Sequence, residues 1–412
     1  MKGKLKIIKD FAINILSTFI LMAATQLVIY PFFEKRFGAS TYGEILVVIG
    51  IYSIFVSVFT NTLANARLML NKKRSEECNS GNFNPLCFIF SFVSSIGAFL
   101  VCLFIFPWEL ITLVGVAILT FLMALRTYCF VHFRLSLSFV KMLIANVLLT
   151  AGYLAGLFLI PAFNFWPFVF VLGELICMIF IIFATGFLKE KWSFNSFSKI
   201  IILTDLPLIA IAILGSSLSY CDRLIIFPLL GSAVVTIYTV ACFMGKLLSA
   251  TFEPMSIVVL SYCTNKQYNL SRKAYIIISI VAVLGSTLLL FLAFLISPFI
   301  LEKLYPDVYS EALPFVLLAS VSYIFVCSES IIRPINLSNG KQKSLLLIQL
   351  IYFCVYVGLS IIFVKFYGLN GFCFASIISN ALRFLLQFLI GLYYFAKKGR
   401  DNENGIDTTE TV

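Results

Sequence analysis

Residues 216–239 read SSLSYCDRLIIFPLLGSAVVTIYT. An apolar run carries an acid and a base side by side, Asp222 and Arg223, reaches Gly231, and resumes as a second run containing Tyr238. The same punctuation occurs near the start of the chain, where the first apolar run is followed by FGASTYGE (37–44), with Gly38 and Tyr42. Six apolar spans separate the two. An even number restores the starting orientation, so the pattern predicts two halves related by an axis along the membrane normal.

Composition supports a membrane setting. The chain has 412 residues, 61% of them hydrophobic and 12% charged, with a mean hydropathy of +1.03. Soluble domains are about half apolar and about one quarter charged. Apolar segments of about 20 residues, enough to cross ~30 Å of hydrocarbon, recur along the whole length. We place twelve spans at 11–33, 43–65, 85–106, 110–128, 142–160, 165–187, 203–230, 233–260, 274–297, 313–335, 344–364 and 370–396. The fold class is therefore an all-α polytopic membrane protein of about 12 transmembrane helices in two six-helix bundles. The bundles are residues 1–200 and 201–396, followed by a polar, disordered cytoplasmic tail, 397–412. The N-terminal MKGKLKIIKD and its apolar run imitate a signal peptide, but the run continues to Phe33 and reads as an uncleaved first helix.

The net charge of +11 does not point to nucleic acid, because the basic residues lie in short loops. With a cytoplasmic N-terminus, 23 of the 30 lysines and arginines fall in segments on that side and four on the other, which puts both termini in the cytoplasm. Trp108, Trp166 and Trp192 lie near span ends, as interfacial aromatics do. The eleven cysteines show no CxxC pair, with only Cys78 well out in a loop, and suggest neither a disulfide framework nor a metal site. No phosphate-binding GxxxxGK[ST] occurs, and nothing assembles a nucleophile, base and oxyanion hole, so no catalytic residue is assigned.

Charges inside spans cost at least ~2.5–3.5 kcal/mol on insertion scales and need partners or water. Lys246 and Arg383 each fall 13 residues into a predicted span, about 20 Å deep, with no acid within a turn on their own helices. Both read as lining a polar interior, where cations would attract a phosphate or pyrophosphate headgroup. Glu174 lies closer to the outer side. Glu329 and Arg333 are spaced to neutralise each other on one face. Glu253 reads as interfacial, His132 as part of a basic loop, and Asp205, ahead of Pro207, as a helix-start cap. Gly152 and Gly156 form a GxxxG that fits close helix packing. Asp222 and Arg223 lie about 12 Å from the outer end of their helix, and read either as a structural pair or as a gate.

The series GASTY (38–42), DRLIIFPLLG with IYT (222–239), LYPDVYSEALPF (304–315), SNGKQK (338–343) and YGLNGFCFASIIS (367–379) resembles, in order and spacing, the polysaccharide (O-antigen or capsule) flippases of the multidrug/oligosaccharidyl-lipid/polysaccharide exporter superfamily. The resemblance spans nearly the whole chain. It implies two six-helix bundles around a cationic cavity in a bacterial inner membrane. The expected substrate is an undecaprenyl-pyrophosphate-linked oligosaccharide, moved from the cytoplasmic to the periplasmic leaflet by alternating access. It implies no enzymatic activity and no cofactor, with a proton or sodium gradient as a candidate driving force. Membrane lipid and other polysaccharide assembly proteins are the expected partners. On this reading Lys246, Arg383 and Arg223 bind substrate, while Asp222, Glu174, Glu329 and Arg333 serve as gate or charge partners. The competing readings are a cation-coupled multidrug exporter of the same fold and a membrane-embedded glycan polymerase.

Overall fold

The computed structural model describes residues 2–73, 82–163, 165–187, 192, 196–263, 271–338 and 342–403. Side chains are described for these residues except 2–11, 71–73, 161–163, 196–197, 253–254, 257–258, 260–262, 342–343 and 397–403. Cys78, the Glu253 side chain and most of SNGKQK therefore lie outside what is described. The described residues are helical almost throughout, with no strand among them.

The helices are α1 (Lys2–Ala24), α2 (Tyr30–Val56), α3 (Thr62–Lys73), α4 (Phe83–Ile105), α5 (Leu110–Leu135), α6 (Phe139–Phe163), α7 (Pro167–Thr185), α8 (Ser196–Leu230), α9 (Ser232–Ala241), α10 (Phe243–Cys263), α11 (Arg272–Leu304), α12 (Tyr309–Ser338) and α13 (Gln342–Glu403). Two π-helical turns, Thr25–Ile29 and Ser57–Asn61, join α1 to α2 and α2 to α3.

Nine of these helical stretches are long and apolar enough to cross a membrane, or ten with the bent pair α9–α10 taken as one. Two are too long for one crossing. Ala12–Leu70 has 59 residues and Ser344–Ala396 has 53, about 90 and 80 Å at ~1.5 Å per residue. Each is broken at a glycine with positive φ, Gly38 in α2 and Gly368 in α13. Counted as two crossings each, they bring the described spans to the expected twelve.

The exterior is apolar, unlike that of a soluble protein, and the interior admits small hydroxyl residues. Phe104 and Phe158 are each 85% exposed while Ser91, Ser94, Thr120, Ser328 and Ser360 are completely buried. An apolar exterior over an interior of small hydroxyl residues is what a lipid solvent selects. Helix association there relies on close packing and interhelical hydrogen bonds. Three of them bond carbonyls of their own helices, Ser94 on Phe90 O at 2.8 Å, Thr120 on Val116 O at 2.7 Å and Ser328 on Ile324 O at 2.6 Å.

The chain forms two compact units. Unit 1 comprises Met1–Arg36 and Ile45–Cys221; unit 2 comprises Phe37–Glu44 and Asp222–Val412. The division falls inside α8. In unit 1, α6 packs along α1 and α7, and α5 along α4 and α7. The GxxxG glycines make the contact of α6 with α7 possible: a Cβ on Gly152 would meet the backbone of Gly173, and one on Gly156 that of Val169. In unit 2, α12 is the central helix, packed on α9, α10, α11 and α13.

Two local expectations need correction. Helix α8 starts at Ser196, so Asp205 lies in its tenth position and cannot cap it. The apolar run placed at 203–230 is preceded by the polar SFSK (196–199), and the helix extends back through it. The second concerns the tail: α13 runs to Glu403, so residues 397–403 have helical backbone, and 404–412 lie outside the described residues.

Candidate functional site

Unit 2 collects most of the charges singled out in the sequence. Lys246, early in α10, donates from Nζ to Asp222 Oδ2 at 2.8 Å, and the Arg223 backbone N–H donates to Asp222 Oδ1 at 2.9 Å. Asp222 is thereby held on both oxygens. Lys246 also lies over the ring of Tyr238, 6.0 Å from its centroid. The Lys246 side chain remains 29% exposed, against 11% for Asp222. Arg223 is buried beside them.

The second basic residue behaves in the same way. Arg383, on α13, bridges to Glu329 on α12, Nη2 to Oε2 at 3.0 Å, and its guanidinium lies over Tyr352, 4.8 Å from the centroid. Tyr352 donates its hydroxyl hydrogen to Asn380 Oδ1 at 3.1 Å, which fixes the ring. The acids that the helices of Lys246 and Arg383 lacked locally are thus supplied by α8 and α12. Glu329 does not pair with Arg333, which is exposed. The i,i+4 spacing permits that pair, but a buried carboxylate gains more from a buried guanidinium than from one in solvent.

Rings connect the two ion pairs. Tyr238, under Lys246, meets Phe372 edge to face at 5.0 Å; Phe372 meets Tyr356 at 6.0 Å; Tyr356 stacks on Tyr352 at 5.6 Å, under Arg383. An unbroken aromatic line therefore joins one cation to the other through α9 and α13. Such edge-to-face and stacked pairs add ~0.5–1.5 kcal/mol each beyond burial. Of the four rings only Tyr238 stood out, as part of the Gly-plus-Tyr punctuation, in a chain with 44 phenylalanines and 18 tyrosines; for Tyr352 and Tyr356 the signal is their spacing, one turn apart on one face.

Glu174, expected among the charge partners, lies in unit 1. It takes a two-point bridge from Arg126, Nε to Oε2 at 2.6 Å and Nη2 to Oε1 at 3.1 Å, plus the Tyr153 hydroxyl at 2.9 Å. The side chains are 9% and 0% exposed. Arg126 falls at the end of the span placed at 110–128 and is not singled out by the sequence; α5 continues past it to Leu135. Buried Tyr128, Cys129, Phe130, Val131 and Phe133 carry that helix on. His132 is likewise helical, 3.1 Å from Arg67 Nη1, which also donates to the Tyr128 hydroxyl at 2.8 Å. Among the described residues no three His, Cys, Asp or Glu side chains come together as a metal site requires.

These elements define a class: an all-helical, multi-pass membrane protein in two units, with paired charges and aromatic rings inside the second. Solved structures of transporters share this fold. The lipid II flippase MurJ, in an inward closed conformation, aligns over 99% of this chain and 93% of its own at 15% identity, with a TM-score of 0.70. An inward-facing multidrug resistance MATE transporter of the MOP superfamily aligns over 97% of this chain and 100% of its own at 14% identity, TM-score 0.69. The Vibrio cholerae MATE transporter VcmN in the bent form aligns over 96% and 97% at 13% identity, TM-score 0.60. No family model and no curated protein matches the chain. The chain thus shares its fold with these solved transporters.

Proposed function

We propose that the chain is a flippase that carries an undecaprenyl-pyrophosphate-linked oligosaccharide across a bacterial inner membrane by alternating access, with both termini cytoplasmic. The observation that supports this most is the composition of the interior of unit 2. Three bases, Arg223, Lys246 and Arg383, accompany two acids, Asp222 and Glu329, and the line Tyr238–Phe372–Tyr356–Tyr352 runs between the bases. The surplus positive charge suits a pyrophosphate, and ring faces suit the apolar faces of sugars. The partly exposed Lys246 side chain is the first contact, its ammonium sharing its hydrogens between Asp222 and a phosphate oxygen. The fold shared with the lipid II flippase MurJ agrees with a lipid-linked substrate.

The test replaces the cell's own gene with Lys246→Ala or Arg383→Ala at matched protein levels. Surface polymer should fall at least tenfold, with the lipid-linked unit accumulating on the cytoplasmic side. Normal surface polymer in both variants would overturn the reading. The two acids and the rings also suit an organic cation, and the MATE likeness agrees with that second reading. It requires deletion of the gene to sensitise cells to cationic dyes while leaving surface glycan unchanged.

A further inference from the structure

The chain has one histidine, and it stands where several elements of unit 1 meet. His132 lies in the last turn of α5. Its Nε2 is 3.1 Å from Nη1 of Arg67, on α3. A guanidinium has donors only, so Nε2 accepts, and the imidazole is neutral with its hydrogen on Nδ1. A proton on Nε2 and the bond from Arg67 therefore exclude each other. The two partners are not equally held. Arg67 is buried, its Nη1 also donates to the Tyr128 hydroxyl at 2.8 Å, and its guanidinium lies 5.7 Å from the centroids of both Phe83 and Tyr128. His132 is only half-buried.

The imidazole also backs a row of rings. It meets Phe187 edge to face at 5.8 Å, Phe187 is stacked on Phe88 at 6.2 Å, and Phe88 meets the indole of Trp192 at 4.9 Å. Tyr128 touches Phe187 from the same helix as His132, at 6.4 Å. Phe187 is 1% exposed and Trp192 47%. Both residues belong to the stretch between Thr185, the end of α7, and Ser196, the start of α8. The chain that leads into α8 is thus seated on unit 1 by ring contacts that run back to His132.

The other titratable groups at this end of unit 1 come from four helices. Tyr128 and Cys129 of α5 and Cys87 of α4 are buried beside Arg67. Arg134 follows His132 on α5, and Lys141 of α6 reaches the end of α7, its Nζ 3.5 Å from Ala184 O. Lys189, Glu190 and Lys191, next to Phe187 and Trp192 in sequence, lie outside the described residues. Arg67, Arg134 and Lys141 are all positive, so a charged imidazole moves away from them and toward water.

We propose that His132 is a pH-sensitive latch for the segment that leads into α8. While neutral, the imidazole accepts from Arg67 and its ring backs Phe187. A proton delivered by water forms an N–H bond at Nε2, ends the contact with Arg67 and turns the imidazolium toward solvent. Arg67 stays on Tyr128, while Phe187 loses the edge that backs it, and Phe88 and Trp192 shift in turn. The latch is closed at neutral and higher pH, and opens on acidification within the window of about pH 8 to 5 in which histidine takes its charge. The proton comes from and returns to the same water, so the latch neither carries cargo nor drives transport.

Trp192 itself reports on the latch. In the full-length protein in lipid, Trp108→Phe with Trp166→Phe leaves it as the only indole. Lowering the pH from about 8 to about 5 should then red-shift its emission and raise its quenching by iodide about twofold, in one single-proton transition. His132→Gln keeps an acceptor for Arg67 but takes no proton, and should give a flat profile. His132→Lys, charged throughout, should show the acid form already at the alkaline end. If the two tryptophan replacements prevent folding, the difference between wild type and Trp192→Phe carries the same reading. A flat profile with His132 present, a transition that persists in His132→Gln, or the alkaline form in His132→Lys would each overturn the proposal. No substrate is added, so the flippase reading and the latch stand or fall separately.

Discussion

The Arg126–Glu174 bridge shows what a charge inside this protein requires. Two helices supply opposite charges, α6 adds the Tyr153 hydroxyl, and the guanidinium also lies over Phe130, 5.4 Å from its centroid. Removing one member of a buried pair strands the other, a loss of about 3–5 kcal/mol, whereas replacing both with apolar residues is often neutral or better. We therefore expect Arg126→Met to lower the thermal melting point sharply and Arg126→Met with Glu174→Met to recover most of the loss, both read in detergent. A double variant no more stable than the single would show that the pair is not the cause. Residues of this kind were half legible. Lys246, Arg383, Asp222, Glu329 and Glu174 stand out as isolated charges in apolar runs, because a lipid solvent makes each one expensive. Which of them pair does not stand out, since pairing joins different helices and i,i+4 spacing pointed Glu329 to Arg333. Arg126 was hidden for another reason: at the margin of an apolar run, a helical arginine and a loop arginine look alike. Asp205 had a local explanation in Pro207, and only the true start of α8 removes it.

At the scale of elements, the punctuation that opened the sequence has a shared backbone form. Gly38 has φ 79° and ψ 164°, and Gly231 has φ 90° and ψ 170°. Only glycine adopts this region without strain, so both positions reset the chain direction between one helix and the next. The segment Phe37–Glu44 belongs with unit 2, and there the two glycine-led starts meet. Ser40 Oγ and Ser232 Oγ are 2.8 Å apart, Thr236 donates to Ala39 O at 2.7 Å, and a Cβ on Gly43 would collide with the Ser232 carbonyl. The weak Gly-plus-Tyr match was thus a sign of two like turns, but that they touch was not legible, because nothing in a repeat says whether its copies are neighbours. Two outcomes follow. Ser40→Cys with Ser232→Cys should form an internal disulfide on mild oxidation, detected by mass spectrometry of the linked peptides. Adding Gly43→Leu should cut its yield severalfold, because the side chain has no room against Ser232. Equal yields with and without Gly43→Leu would mean that the glycine does not set this contact.

At the scale of the whole molecule, the two bundles share a charge plan that the expected repeat did not include. In unit 1 the fourth span carries Arg126, the sixth Glu174, and the fifth sends Tyr153 to the pair. In unit 2 the tenth span carries Glu329, the twelfth Arg383, and the eleventh places Tyr352 beneath the arginine. Corresponding helices are joined in both units, with the signs exchanged. The environments also differ: the arginine of unit 1 donates on two points to a sealed acid, while that of unit 2 is 14% exposed and lies beside the aromatic line. The same bridge can serve as a staple in one bundle and as part of a binding surface in the other. Exchanging the signs in unit 2, Glu329→Arg with Arg383→Glu, separates these roles. An ion pair is restored between the same helices, so most of the stability lost in either single variant should return. The cation, however, is moved off Tyr352 and from α13 to α12, away from the end of the aromatic line. Surface polymer should therefore remain at least tenfold below wild type even as the melting point recovers. If export recovers together with stability, the pair is a staple in both units, and the anion-binding role passes to Lys246 and Arg223 alone.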